Sequence, residues 1–287
     1  MCHPSPTPLL LLILSLLSTA LVDCVELTDT NIQDAVNGWI EDPTSAEELY
    51  GNIADWDTSA VTDMSSLFMN QATFDEDISG WETSGVISMA SMFSGAAAFD
   101  QPVGSWNTAK VTTMSNMFRS AGTFDQDISG WVTSSVTSMS GMFAFAVLFD
   151  QAIGGWDTWK VITMQDMFFY NIKFNQDITG WDTSRVGSMT DMFNTAPAFD
   201  QDISGWDVGR VSVMNRMFKS ADAFNQDLSG MCVELISSVP TDFGSPGTPP
   251  VWGTCPCRTG ADGEVCQVRA SEAPPAPVFS RCCCFSL

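Results

Sequence analysis

The chain has 287 residues, enough for one or two domains with a sizeable core, and carries 34 acidic against 11 basic side chains, a formal charge of −23. That sign repels phosphate backbones and anionic membrane surfaces, so no nucleic-acid partner is expected, while 45% hydrophobic and only 16% charged residues exclude an acidic disordered tail. A single histidine, His3, sits in a segment expected to be removed, which excludes Ser-His-Asp and Cys-His nucleophiles, histidine zinc sites and histidine general bases, and with them most enzyme classes.

Residues 1–20 read as a signal peptide: Leu9 to Leu17 is an apolar run too short to span a bilayer, and Ser18-Thr19-Ala20 offers small residues for cleavage after Ala20. No basic residue precedes the run. An uncleaved anchor remains an alternative, as does a lipoprotein signal ending at Cys24, which Asp23 disfavours. No second apolar stretch is long enough to span a membrane, so a secreted or cell-surface protein is expected, without strong membrane insertion after signal removal. Residues 21–55 are expected to form an N-terminal helical cap. Thr30 and Gln33 suggest a capping box, Ile32, Ala35, Val36, Trp39 and Ile40 an apolar helical face, and Ser45-Ala-Glu-Glu48 the start of a shorter helix.

Residues 56–230 carry the organising signal. Tryptophan recurs at Trp56, Trp81, Trp106, Trp131, Trp156, Trp181 and Trp206, a period of 25 without a slip, and columns of Val, Met, Phe and Ile keep the same period. Seven such repeats predict a solenoid in which each coil buries its apolar face against its neighbours. D-I-S-G-W and V-T-x-M alternate like short β-strands, and Met114, Met117, Phe118 and Ala121 have the i, i+3, i+4, i+7 spacing of a short helical turn. The expected coil is therefore leucine-rich-repeat-like, short strands plus a helical turn.

The tryptophan column suits either core packing or a sugar platform. Core packing is favoured because the eighth position is Met231, which cannot stack on a sugar. Asp125-Gln126-Asp127-Ile128-Ser129-Gly130 resembles the start of a calcium loop, but Val136 stands where the bidentate acid belongs and Pro102 or Ala152 replaces Asp127 in other coils. No metal or other cofactor is expected, and these residues read as turn formers. After Gly230 the repeat fades. Residues 231–256 are expected to be a C-terminal cap closed by a Cys232–Cys255 disulfide, and 257–287 a disordered Cys/Pro-rich tail. Cys255-Pro-Cys257 is a weak zinc pattern, and Cys284-Phe-Ser-Leu287 a prenylation-like motif incompatible with export.

The repeated W-D-T-S-x-V-T-x-M-x-x-M-F-x-x-A-x-x-F-[DN]-Q-D-[IL] resembles the BspA-like leucine-rich-repeat surface proteins, in the version first noted as mycoplasma lipoprotein repeats, over about Ile32 to Pro256. The resemblance implies extracellular display, attaches adhesion to a few bacterial members only, and transfers no catalytic residue.

The expected function is thus a non-catalytic module binding an extracellular protein or glycan. The alternatives are a carboxylate-dependent glycosidase or lyase, and a structural wall or coat component. Candidate ligand-binding residues are Phe145, Phe169 and Tyr170, aromatics in slots that other coils fill with Asn70, Gly95, Ser120, Thr195 or Ser220, with Trp159 as a fourth intruder. A local packing accommodation is the competing explanation for them. Lys110, Lys160, Arg185 and Arg210 form a column that could rim the patch.

Overall fold

Each coil bonds to the next through every second backbone N–H of an arc that follows the Val column. Met64, Ser66, Phe68 and Asn70 donate to the carbonyls of Ser88, Ala90, Met92 and Ser94 in the next coil at 2.7 to 3.0 Å. The intervening N–H groups stay inside the coil: Met69 donates to Ser66 and Gln71 to Phe68. The pattern repeats along the chain, so residues 25 apart lie one above another. A computed structural model describes residues 25–244 and 247–256. The expected signal segment 1–20, the prenylation-like motif and the expected tail 257–287 lie outside these residues.

The coils are not built as expected. Among the described residues there is no β-strand and no sheet; adjacent coils share single parallel bridges such as Ser88 with Thr113 and Thr113 with Ser138. The leucine-rich-repeat-like coil of strands plus a helical turn is therefore overturned. The physical reason is a pair of left-handed residues in each arc, Ser66 (φ 62°) and Asn70 (φ 63°) in the first and Asn116 (φ 55°) and Ser120 (φ 60°) in the third. A positive φ every fourth residue breaks both strand and α-helix, leaving overlapping turns. The expected D-I-S-G-W strand is a turn as well, closed by Trp81 N–H to Ile78 C=O at 3.1 Å.

Among the described residues regular helix is confined to two helices near the start and two short 3₁₀ segments. α1 (Ile32–Glu41) buries Ile32, Ala35, Val36 and Trp39, and α2 (Pro43–Tyr50) follows with proline in its first turn. Trp39 meets Trp56 edge-on at 6.0 Å, covering the first coil. The capping box does not form. Asn31 is the N-cap of α1 without a side-chain cap bond, and Gln33 donates instead to Asn37 Oδ1 and to Leu67 C=O of the first coil. α2 is capped by Asp42, which accepts from the N–H groups of Thr44 and Ser45.

Stacking turns each column into a ladder. The Phe68 column stacks at centroid distances of 5.5 to 5.9 Å through Phe218, and each member packs on its coil's second phenylalanine at 3.8 to 4.0 Å. The tryptophans of the 25-residue column are 3–4% exposed, and from Trp81 to Trp206 their indole N–H groups donate to the coil below, Trp131 to Val103 C=O at 3.1 Å. Two residues on, Thr58 to Thr183 are buried and hand their hydroxyls to the coil above, Thr133 to Asp157 C=O at 3.0 Å. An Asp/Asn ladder runs along one edge: Asp125 Oδ1 accepts Asp150 N–H and Gln151 Nε2, both at 2.9 Å. At the far end a Cys232–Cys255 disulfide closes the chain, beside Val233 N–H to Thr254 C=O at 2.8 Å.

Trp131→Ala should lower stability by about 3–5 kcal/mol in urea unfolding, because it empties an interior slot and removes the indole bond to the Val103 carbonyl. Asp125→Asn should be nearly neutral, since Asn175 makes the same bonds to Asp200 and Gln201. Asp125→Ala, which leaves Asp150 N–H without that acceptor, should cost about 1 kcal/mol.

Candidate functional site

The second left-handed slot of the arc is where sequence and backbone conflict. Asn70, Gly95, Ser120, Thr195 and Ser220 occupy it elsewhere with φ between 55° and 78°; Phe145 (φ 59°) and Tyr170 (φ 56°) occupy it in two consecutive coils. A bulky side chain at positive φ crowds its own carbonyl and costs roughly 1–2 kcal/mol. The fold needs no ring there: Phe145 is only half-buried and Tyr170 is 45% exposed. The strain is carried by a surface feature.

Phe145 meets Phe169 edge-on at 4.9 Å and Tyr170 at 5.4 Å, and the Arg119 guanidinium lies 5.3 Å from the Phe145 ring centre. Leu148 and Ile172, in the same two coils, are also exposed. Under Tyr170 the usual alanine is replaced by Asn171, fully buried, whose amide donates to Phe149 C=O at 3.2 Å while its oxygen accepts from the N–H groups of Lys173 and Phe174. Arg119 and Asn171 were missed in the sequence. The signal for Asn171 was available, since it breaks the alanine column.

A charged row, Asp166, Asp191 and Arg216, occupies the first left-handed slot of the coil that carries Tyr170 and of the two coils after it. Asp191 is buried and held by Arg216 through Nε at 2.8 Å and by Asn194 Nδ2 at 2.6 Å. Half-buried Asp166 is pushed above the usual aspartate range, mainly by burial and further by Asp191, while Gln165, Arg119 and Arg216 pull it back. Elsewhere carboxyls are held low as turn caps. A Ser or Thr two residues on lowers Asp77, Asp127, Asp177, Asp202 and Asp227 through its side chain and its N–H. Among the described residues no three potential metal-ligating side chains cluster.

The structure thus brings Phe145, Phe169 and Tyr170 together but not Trp159. Trp159 sits 38% exposed at the tip of the turn closed by Val161 N–H to Thr158 C=O at 2.9 Å. Its ring neighbours are cations, Lys160 Nζ at 4.9 Å and Arg185 Cζ at 4.8 Å. The cation column therefore rims Trp159 and not the other three. The paired candidate cysteines, Cys232 and Cys255, are the disulfide. An open depression of about 1010 Å³ at the C-terminal end lies between Phe218–Asp222, Val239–Gly244 and Trp252.

These features define a repeat protein of stacked 25-residue coils with two unusual surface patches. Residues 41–154 and 147–245 match the family described as Mycoplasma protein of unknown function, DUF285, and the chain belongs to that family. No curated protein matches it.

Phe145→Gly should leave stability within about 1 kcal/mol of the parent, because relief of the left-handed strain offsets the lost ring contacts. Unfolding of that variant would assign the ring to the core. A carboxyl depressed in the folded state stabilises above its unfolded value near 3.8 and loses that contribution as pH falls through its folded value. Thr179→Ala, which removes the 2.7 Å hydroxyl bond that is the main cause of the Asp177 shift, should therefore lower the Tm at pH 6. The difference from the parent should close at strongly acidic pH.

Proposed function

We propose that the chain is a non-catalytic recognition module displayed outside the cell, binding an extracellular protein or glycan through the aromatic corner of Phe145, Phe169 and Tyr170. The observation that carries this reading is the conformational cost of that corner. Rings stand in left-handed surface slots that other coils fill with small polar residues or glycine. Strained backbone and aromatic clusters at the surface are both enriched at sites of interaction, and here Tyr170 is exposed with Phe145 and Phe169 half-buried beside it.

Several features support the rest of the proposal. The Cys232–Cys255 disulfide fits an oxidising compartment, as does the expected export signal. Among the described residues no helix is long and apolar enough to cross a membrane. Glycoside chemistry needs two carboxyls flanking an open site, one of them held protonated. Asp166 is shifted in that direction, but its neighbour Asp191 is committed to Arg216 and Asn194. The resemblance to BspA-like surface proteins adds display and, for a few of them, adhesion.

The full chain on arrays of glycans and extracellular-matrix proteins should capture a ligand that Phe145→Ser with Tyr170→Ser no longer binds. The double variant should keep the parental Tm, since serine is what Ser120 and Ser220 place in that slot. Retained binding by the variant would remove the corner from the site, and release of reducing sugar by the parent chain would make it an enzyme.

A further inference from the structure

The geometry points to a second binding surface, along the ridge of turn tips that carries Trp159, with a linear anionic polysaccharide as its ligand. In every coil the backbone reverses in a turn closed between the threonine column and the valine column, as in Val186 N–H to Thr183 C=O and Val211 N–H to Val208 C=O, both 2.9 Å. The second tip residue is Lys110, Lys160, Arg185 or Arg210 in four of the coils. The segment 56–230 contains eight basic residues, so half of them stand in this one column of a chain whose net charge is −23.

None of the four makes an ion pair within 4.0 Å. The ion pairs among the described residues are Arg216–Asp191 and Lys219–Asp242, both elsewhere. Lys160, Arg185 and Arg210 fall in three consecutive coils, so a straight row of positive charge runs along the stack axis. Trp159 sits within it, with Lys160 and Arg185 each within 4.9 Å of its ring. Other coils put serine, alanine or glycine at the Trp159 position, and the core makes no use of this exposed indole.

Beside the cations, three residues earlier in each coil, runs a second row of exposed acids, Asp157, Asp182 and Asp207. One oxygen of each accepts a turn N–H, from Trp159, Ser184 and Gly209. Asp182 is held below the ordinary aspartate range, by Ser184 and to a lesser degree by Arg185, so it stays ionised. A ligand lying here must offer anions to one row and hydroxyl donors to the other. Polysaccharides with carboxylate or sulfate groups carry both, and their ring faces suit an indole. An extended acidic peptide supplies the anions but would gain no strand-like pairing. The ridge is a row of turns joined to its neighbours without any strand among the described residues, so it offers no extended edge for such a peptide to pair with.

Long-range repulsion from the chain's own charge is screened beyond about 8 Å at 0.15 M salt, so the test belongs at that ionic strength. In affinity electrophoresis the full chain should be retarded by alginate, dextran sulfate or both, which distinguishes carboxylate from sulfate, and not by neutral dextran. Arg185→Ser should weaken retardation several-fold. Lys173→Ser, equal in charge but off the ridge, should not. Lys160→Ser with Arg185→Ser and Arg210→Ser should weaken it at least tenfold with the Tm preserved, since Ser135 already occupies this tip and donates to Ala109 C=O. Equal retardation by neutral dextran, no retardation by either anionic glycan, competition by poly-aspartate as effective as by the glycans, or full binding by the triple variant would each overturn the inference.

Discussion

The structure depends on one device: half the N–H groups of each arc leave their own coil and bond to the next. Met64, Ser66, Phe68 and Asn70 donate outward while the groups between them close turns inward. Left-handed residues at two points per arc aim the peptide planes in this way. Because the bonding is between coils, no coil satisfies its backbone alone, and the period of 25 must hold through the stack.

The same device explains the side-chain columns. Stacked coils place like on like, so a position works only if its residue is compatible with a copy above and below. Phenylalanine, methionine and valine meet this by packing. Threonine and tryptophan meet it by donating one hydrogen bond along the axis, as Thr133 and Trp131 do. The aspartate column is the demanding case, because Asp75, Asp100, Asp125 and Asp150 stack like charges. Each carboxylate there accepts an N–H from the next coil, and Asp75 and Asp125 also accept a glutamine amide. Asn175 and Asn225 interrupt the run of charge without breaking the ladder.

Against so regular a frame, departures stand out as surface features and not as core faults. The rings of Phe145, Phe169 and Tyr170 interrupt a left-handed column at an edge of the arc. Trp159 and its cations mark the turn ridge. Both lie on a scaffold whose interior repeats almost unchanged beneath them, so these surface residues can vary while the coil stays the same.

The repeat period, the buried columns and the identity of the interrupted slots were all legible in the sequence. Stacking makes residues 25 apart neighbours, so Phe145 beside Tyr170 followed from their numbers alone, as did a disulfide between the two cysteines flanking the last coil. The shape of the coil was not legible. Met114, Met117, Phe118 and Ala121 have a spacing that serves a helical turn and a train of overlapping turns equally well, and Ser66, Asn116, Asp166 and Arg216 share no residue type that announces a left-handed backbone. Nor does a threonine announce burial: Thr133 is buried because the next coil supplies a carbonyl acceptor for its hydroxyl. Trp159 was grouped with the other aromatics because spacing within a coil carries no direction. Sequence determines which residues stack, because a period is one-dimensional information. Only the tertiary structure decides which way each turn faces, because that is set by the hydrogen bonds one coil makes to the next.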